Sequence, residues 1–204
     1  MTENTWKSCV HVITRFQQIP TIQHRFYVAG GLVPWLVGNR DSGRLHGDID
    51  IVVANQDMHH FRKVMQHIGC YNPATDSQVV WSNKAHDYGF DVTVDDVTVN
   101  IAPFEHDTRG IIQRNATYSE FRGVHHPVTL LIPELELDEY VMHSLWYNQL
   151  PLGHYPLALV YATKQITKRD KDRHDCAEIE RLGVSFVDVA RYLQILQRME
   201  PLDG

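Results

Sequence analysis

The sequence predicts an α+β protein: a small mixed β-sheet flanked by helices, followed by a C-terminal helical bundle. Three observations predict it. Four strand-like runs, at residues 25–29, 48–53, 88–94 and 97–104, are interleaved with runs of helical period in the first part of the chain. Beyond Ile132 the apolar spacing becomes helical throughout. Turn residues punctuate the elements, and no low-complexity tract, repeat or flexible linker separates the two parts. The expected organisation is therefore an α/β domain over residues 1–132 and a helical domain over residues 133–204.

Each element has its own signal. Trp6, Val10, Ile13 and Phe16 recur at three- to four-residue intervals, which makes residues 4–16 an amphipathic helix. Pro20 breaks the chain, and residues 25–29 form a short buried strand that Gly30-Gly31 ends. Leu32 to Val37 is a short helix, with Pro34 tolerated in its first turn. Residues 39–47 are polar and glycine-containing, hence a loop. Asp48 to Val53 alternates and then turns apolar, as a strand entering a core does. Phe61, Val64, Met65 and Ile68 mark a second helix. Residues 79–82 offer a strand. Residues 88–94 and 97–104 flank Asp95-Asp96, a two-residue hairpin turn. Residues 124–128 add an edge strand limited by Pro127. Pro133 starts a helix running to Trp146, and residues 157–168, 172–182 and 185–199 continue as helices, with Gly183 as a C-cap.

Composition excludes several classes. The longest apolar runs are too short to span a bilayer, and MTENTWKSCV lacks the layout of a signal peptide, so a cytoplasmic location is expected. Cys9, Cys70 and Cys176 are odd in number, far apart and in no CxxC spacing; they read as free thiols in a reducing compartment. A net charge of −6 makes a nucleic-acid partner unexpected, though it leaves room for a basic pocket around a nucleotide. The 13 histidines are scattered, and His59-His60 and His125-His126 sit at no metal-ligand spacing, so they read as surface or structural residues. Oligomeric state is not encoded legibly.

The chemistry concentrates in two places. Asp48 and Asp50 lie two apart on a strand, so both side chains project to one face while Ile49 faces the core. Two adjacent carboxylates repel unless a cation sits between them, and hard oxygen ligands of this kind suit Mg²⁺ together with substrate phosphates. Gly30-Gly31 follows a strand and opens a helix, so its backbone N–H groups can approach phosphate oxygens. Either feature alone is weak. The sequence strand, Gly-Gly, helix, polar loop, then Asp-Ile-Asp opening a second strand is much more specific.

The stretch YVAGGLVPWLVGNRDSGRLHGDIDIVV resembles the signature of the polymerase-β-type nucleotidyltransferase superfamily. It is most similar to the aminoglycoside and lincosamide branch, in which a diglycine is followed by a helix and a loop of pattern R-x-H-x-D-I-D. Arg44, His46, Asp48 and Asp50 match that pattern. The segments Asp87-Tyr-Gly-Phe90 and Ile101-Ala-Pro103 resemble hairpin strands of the same branch, and KQITKRDKDRHD, residues 164–175, resembles its K…R-x-K-D-x-x-D helix. The resemblance implies the nucleotidyltransferase fold. It implies transfer of a nucleoside monophosphate from a nucleoside triphosphate to a hydroxyl, with two Mg²⁺ ions bridging acids and phosphates. Asp48 and Asp50 would be the metal ligands, and Gly30, Gly31, Arg44, His46, Lys164 and Lys168 would contact the nucleotide. The acceptor expected is a small molecule of aminoglycoside or lincosamide kind, to whose positive charge an acidic protein is suited, with antibiotic resistance as the corresponding role.

One position departs from the pattern. The branch carries a third acid on a neighbouring strand, and alignment on Tyr88-Gly-Phe90 and Pro103 puts Asn100 there. An asparagine offers a neutral oxygen but no carboxylate base. If Asp95-Asp96 is the hairpin turn, Asp91 faces Asn100 across the pair, on the same face, so Asp91 can supply the missing carboxylate. Asp91 on the opposite face from Asp48 and Asp50 would defeat this.

Blander alternatives stand beside these. Against a triphosphate contact for Arg44, and a loop anchor or nucleotide contact for His46, stands a solvated loop; the local pattern match favours function. Lys164, Lys168, Lys171 and Asp175 fall at helical steps, so they would share one face, either towards the triphosphate or merely solvated. Trp35, Trp81, Trp146, Tyr147 and Tyr88 are aromatic stackers or core. At the level of function, a degenerate module that binds nucleotide or a partner without catalysis is the alternative that Asn100 favours. A toxin-type relative acting on protein or tRNA is another.

Overall fold

The computed structural model describes residues 4–76, 88–115, 128–141, 143–147 and 149–202. The expected strand at 79–82, Trp81, Asp87, His125-His126 and the start of the 124–128 strand lie outside these residues. In chain order the helices are α1 Trp6–Gln17, α2 Val33–Val37, α3 Asn55–His67, α4 Leu137–Val141, α5 Leu157–Thr167, α6 Asp170–Arg181 and α7 Phe186–Gln197. The strands are β1 Tyr27–Val28, β2 Ile49–Ala54, β3 Phe90–Val94, β4 Val97–Asp107, β5 Gly110–Asn115, β6 Val128–Pro133, β7 His143–Tyr147, β8 Leu150–His154 and β9 Glu200–Pro201. A short 3₁₀ turn, Gly30–Leu32, joins β1 to α2.

All nine strands belong to one mixed sheet of order β7-β8-β1-β2-β4-β5-β6-β9, with β3 also on β4. β2 and β4 run parallel at its centre, and β1 is antiparallel to β2. Alternation sets the faces. Ile49, Ile51, Val99 and Ile101 are buried on one side, where Phe16 of α1, Phe26 and Phe61 of α3 meet edge to face at 5.9–6.4 Å between ring centres. The intervening Asp50 and Asn100 point to the other face, which stays partly open. Asp95 and Asp96 both adopt positive φ, 49° and 64°, so the β3–β4 hairpin closes through the two-residue turn that the sequence indicates.

The C-terminal part corrects the sequence reading. Residues 133–146 do not form one helix. Pro133 ends β6, helix α4 spans only Leu137–Val141, and His143 onward enters the β7–β8 hairpin. β8 then pairs in parallel with β1, so this hairpin extends the N-terminal sheet. A helical repeat and a strand alternation overlap in this stretch, and pairing with β1 favours the strand. β6, which begins at Val128, the last residue of the expected edge strand, lies between β5 and β9. α5, α6 and α7 form the helical layer expected at the C-terminus. Lys168 interrupts it in a left-handed conformation, φ 52°, and Asp172 accepts the Arg169 backbone N–H at 2.9 Å to start α6. The supposed continuous face over 164–175 is therefore two helix ends meeting at a corner.

Candidate active site

The diglycine turn and Asp50 meet directly. Gly30 sits at φ +65°, and a Cβ there would lie 2.2 Å from Oδ2 of Asp50. The Ala29 backbone N–H donates to the Asp50 carbonyl at 2.9 Å, carrying the β1–β2 ladder up to the turn. Asp48 is exposed just ahead of β2, while Asp50 is half-buried within it. Burial, then the Asp48 charge, push the Asp50 carboxyl above the usual carboxylate range, against the pull of Lys171, Arg169 and Lys164.

Strand register builds a polar row from Asp50. Asp50 pairs with Asn100 on β4, and Asn100 pairs with Asp91 on β3. Partners in register project to one face, so Asp50, Asn100 and Asp91 line up across three strands. Asp91 is held to Asn100 by a side-chain hydrogen bond, and its carboxyl is raised by burial, then by Asp48 and Asp76. Asp91 also borders a groove of about 470 Å³ between β3 and the segment carrying Tyr71, Asn72 and Thr75.

Beneath the turn lies a buried ionic cluster. A Cβ on Gly31 would meet Arg44 Nη2 at 2.7 Å and Asp175 Oδ2 at 3.0 Å, with Lys164 Nζ at 3.6 Å. Asp175, wholly buried, accepts hydrogen bonds from Trp35 Nε1 at 2.9 Å, Arg44 Nη2 at 2.8 Å and Lys164 Nζ at 2.6 Å. Lys164 also donates to Asp172 at 3.1 Å. Burial raises the Asp172 carboxyl, but hydrogen bonds from Arg169 and Thr167 outweigh it and hold the group far below its usual range. His174 stacks on Trp35 at 4.9 Å, and its Nε2 pairs with the Ser42 carbonyl at 2.9 Å. α6 thus grips both the diglycine helix and the loop that leads into Asp48.

The remaining sequence-selected residues sort clearly. His46 is 3% exposed, with Nε2 on Ser42 Oγ at 2.9 Å and its backbone bridged to Asn4. Burial, then the Arg44 charge, lower its imidazole to about 4. It has the geometry of a loop anchor. Arg44 reaches the turn but spends its guanidinium on Asp175. Lys168 is exposed in the groove between α5 and α6. Trp35 is core with a buried N–H partner. Tyr147 packs partly against the core. Sequence reasoning missed His174 and Asp172 as clamps; both stand in the KDRHD segment, one helical turn or less from Asp175, and that spacing was the available signal.

Asp48 and Asp50 fit a divalent cation held jointly with phosphates. Asp50 forms no side-chain hydrogen bond or ion pair among the described residues, although it is largely enclosed beside a like charge. Among those residues no group of three or more His, Cys, Asp or Glu side chains gathers for a metal.

No family model and no curated sequence matches this chain. Solved structures do match. The antibiotic-resistance factor ANT(2'')-Ia in solution aligns over 94% of this chain and 92% of its own, with a TM-score of 0.58 and 11% identity. The same protein in complex with adenylyl-2''-tobramycin aligns over 94% and 98%, at 0.55 and 11%. The lincosamide antibiotic adenylyltransferase LnuA, lincomycin-bound, aligns over 88% and 98%, at 0.51 and 12%. The chain has the nucleotidyltransferase fold. At such low identity the shared property is the nucleotidyltransferase fold itself, spanning nearly all of each chain. Among the described residues no helix is long and apolar enough to cross a membrane.

Proposed function

We propose that this protein transfers a nucleoside monophosphate from a nucleoside triphosphate to a hydroxyl of a small-molecule acceptor, as a cytoplasmic enzyme. The observation that carries the reading is the contact of Asp50 with Gly30: the carboxylate read as a cation ligand lies directly against the turn read as facing phosphate. Residues 1–132 would carry the transfer chemistry, and α5 and α6 of residues 133–204 would form the facing wall.

Asp48 and Asp50 would hold Mg²⁺, which when bound supplies positive charge to the phosphates and the leaving pyrophosphate. The N–H groups of Gly30 and Gly31 receive phosphate oxygens. Arg44 and His46 fix the loop that delivers Asp48. Asp91 lies at the end of the polar row and borders an open groove, so it takes the proton from the acceptor hydroxyl. Asn100 orients it by their hydrogen bond. The bond formed joins the acceptor oxygen to the α-phosphorus; the bond broken releases pyrophosphate.

The test is incubation of the protein with Mg²⁺, each of ATP, GTP, CTP and UTP, and hydroxyl acceptors that include tobramycin and lincomycin. Mass analysis should find an acceptor heavier by one nucleoside monophosphate. Absence of any adduct, with a melting temperature that rises on nucleotide without metal, would favour a second reading: a non-catalytic nucleotide-binding module, for which Asn100 in place of an acid speaks.

A further inference from the structure

The outer edge of β3 is open: among the described residues this strand pairs with β4 alone. Val94 and Val97 close the two-residue turn, so Val94, Val92 and Phe90 exchange main-chain hydrogen bonds with β4. Alternation then turns the N–H and C=O groups of Asp91 and Thr93 away from β4, towards the groove of about 470 Å³ that both residues line. The two positions lie about 7 Å apart along the strand.

The facing wall, residues 69–76, is held from behind by Arg62 of α3. Its guanidinium donates to the Tyr71 hydroxyl at 2.9 Å and to the Gly89 carbonyl at 3.0 Å, and pairs with Asp76. It also covers the Phe90 ring, 4.2 Å from the centroid. One cation thus joins this wall to the root of β3. Within the wall, the Asn72 side-chain oxygen accepts the Ala74 N–H and the Asn72 carbonyl accepts the Thr75 hydroxyl, both at 3.0 Å. The groove is therefore preformed, and its volume falls in the range of small-ligand sites, about 300–1,000 Å³.

Its lining selects by charge. Asn72, Thr75 and Thr93 bring amide and hydroxyl groups, and among the described residues no Lys, Arg or His lines it. Asp76 is engaged by Arg62 and by the Tyr71 hydroxyl at 2.7 Å, while Asp91 has no ion pair among the described residues. A triphosphate would meet carboxylates there and no cation, so the groove does not suit the nucleotide. A neutral or cationic molecule rich in hydroxyls finds donors and acceptors on both walls. Asp91 connects the groove to the reacting centre, being in register with Asn100, which is in register with Asp50 beside Gly30.

We propose that this groove seats the acceptor: a hydroxyl-rich, neutral or cationic small molecule lies along the free edge of β3 with its reacting hydroxyl at Asp91. This rests on the nucleotidyl-transfer reading. The hydroxyl proton passes to Asp91, the oxygen bonds the α-phosphorus, and pyrophosphate leaves with the electrons of the broken bond.

The test is nuclear magnetic resonance of the isotope-labelled full chain with tobramycin, lincomycin, glucosamine or inositol, alongside transfer assays on the same four. An acceptor that receives a nucleotide shifts the amide signals of Asn72, Thr75, Asp91 and Thr93, whereas Mg²⁺ and triphosphate alone leave Thr75 and Thr93 unmoved. Thr93→Arg, at an exposed edge position, puts a bulky cation in the groove. It raises KM for a cationic acceptor about 10-fold or more through like-charge repulsion, with KM for the triphosphate and the melting temperature unchanged. Thr93→Ser keeps the wild-type values. Transfer to an acceptor that shifts no groove amide, or an acceptor KM equal in Thr93→Arg and wild type, overturns the seat and leaves the transfer reading intact. The seat also falls if none of the four shifts a groove amide. Wild type whose melting temperature ignores Mg²⁺ and triphosphate overturns the transfer reading, and the seat with it.

Discussion

At Gly30 two requirements meet in one residue: a left-handed backbone and a contact with Asp50 that leaves no room for a Cβ. Gly30→Ala should cost about 1–2 kcal/mol from the backbone alone, and more once the methyl displaces the carboxylate. Urea unfolding measures the first effect, and the rise in melting temperature on Mg²⁺ and triphosphate measures the second. A variant that retains the full ligand-dependent rise would show that the turn does not organise the acid site. Asp91 and Asn100 permit a sharper experiment. Removing a positioned base lowers a proton-transfer-limited rate about 10²- to 10⁴-fold, so Asp91→Asn should lose that much transfer. Asn100→Asp places a third charge between Asp50 and Asp91, raising their mutual repulsion. It should slow transfer. Faster turnover in Asn100→Asp would mean that position 100, and not Asp91, is where the base belongs.

The second scale is that of α6, which attaches through a stripe of polar contacts where an apolar face would be expected. Asp175 is the centre of that attachment. Asp175→Ala leaves Arg44 and Lys164 without their shared counter-charge, and breaking a buried pair from one side costs about 3–5 kcal/mol. Chemical denaturation should register that loss; a cost under 1 kcal/mol would mean the cluster is solvated in solution. Lys168 offers the converse change. Its left-handed backbone suits glycine, so Lys168→Gly should stabilise by about 1 kcal/mol. The same contrast explains which elements the sequence revealed. α1, α3 and α7 bury one regular stripe each, and the Asp95-Asp96 turn needs φ values that aspartate tolerates, so local pattern sufficed. β7 and β8 are strands because β1, far away in the chain, has an open edge for β8. No local signal encodes that pairing. β5 is similarly decided by β4 and β6 on its two sides. At the site, the spacing of Asp48 and Asp50 and the diglycine were legible because each is a short-range pattern. The partners of Lys164 and Arg44 were not, since identical cations read the same whether free or buried.

At the scale of the whole molecule, the loop over residues 39–47 joins everything that moves the acids into place. It is tied to the N-terminal segment by Asn4 and His46, to α6 by His174 and Asp175, and it leads into β2. Two groups in this frame make stability depend on pH with the same sign. His46 is depressed to about 4 in the folded protein by burial and by Arg44, against 6.5 for a free imidazole. Between those values the unfolded chain binds the extra proton, so stability is fully present above about pH 6.5 and falls as pH drops towards 4. Asp172 is also depressed, by Arg169 and Thr167 acting against burial, and its contribution is lost below the ordinary carboxylate range. The expected profile is a decline starting near neutrality and steepening in acid. His46→Gln keeps a hydrogen-bonding side chain without a titrating imidazole, so its stability, though lower at pH 7.5, should change less between pH 7 and 4.5 than that of wild type. Denaturation curves at fixed pH values decide the matter: parallel declines in the two proteins would mean that His46 binds its proton equally in the folded and unfolded chains and that the loop is not sealed against water.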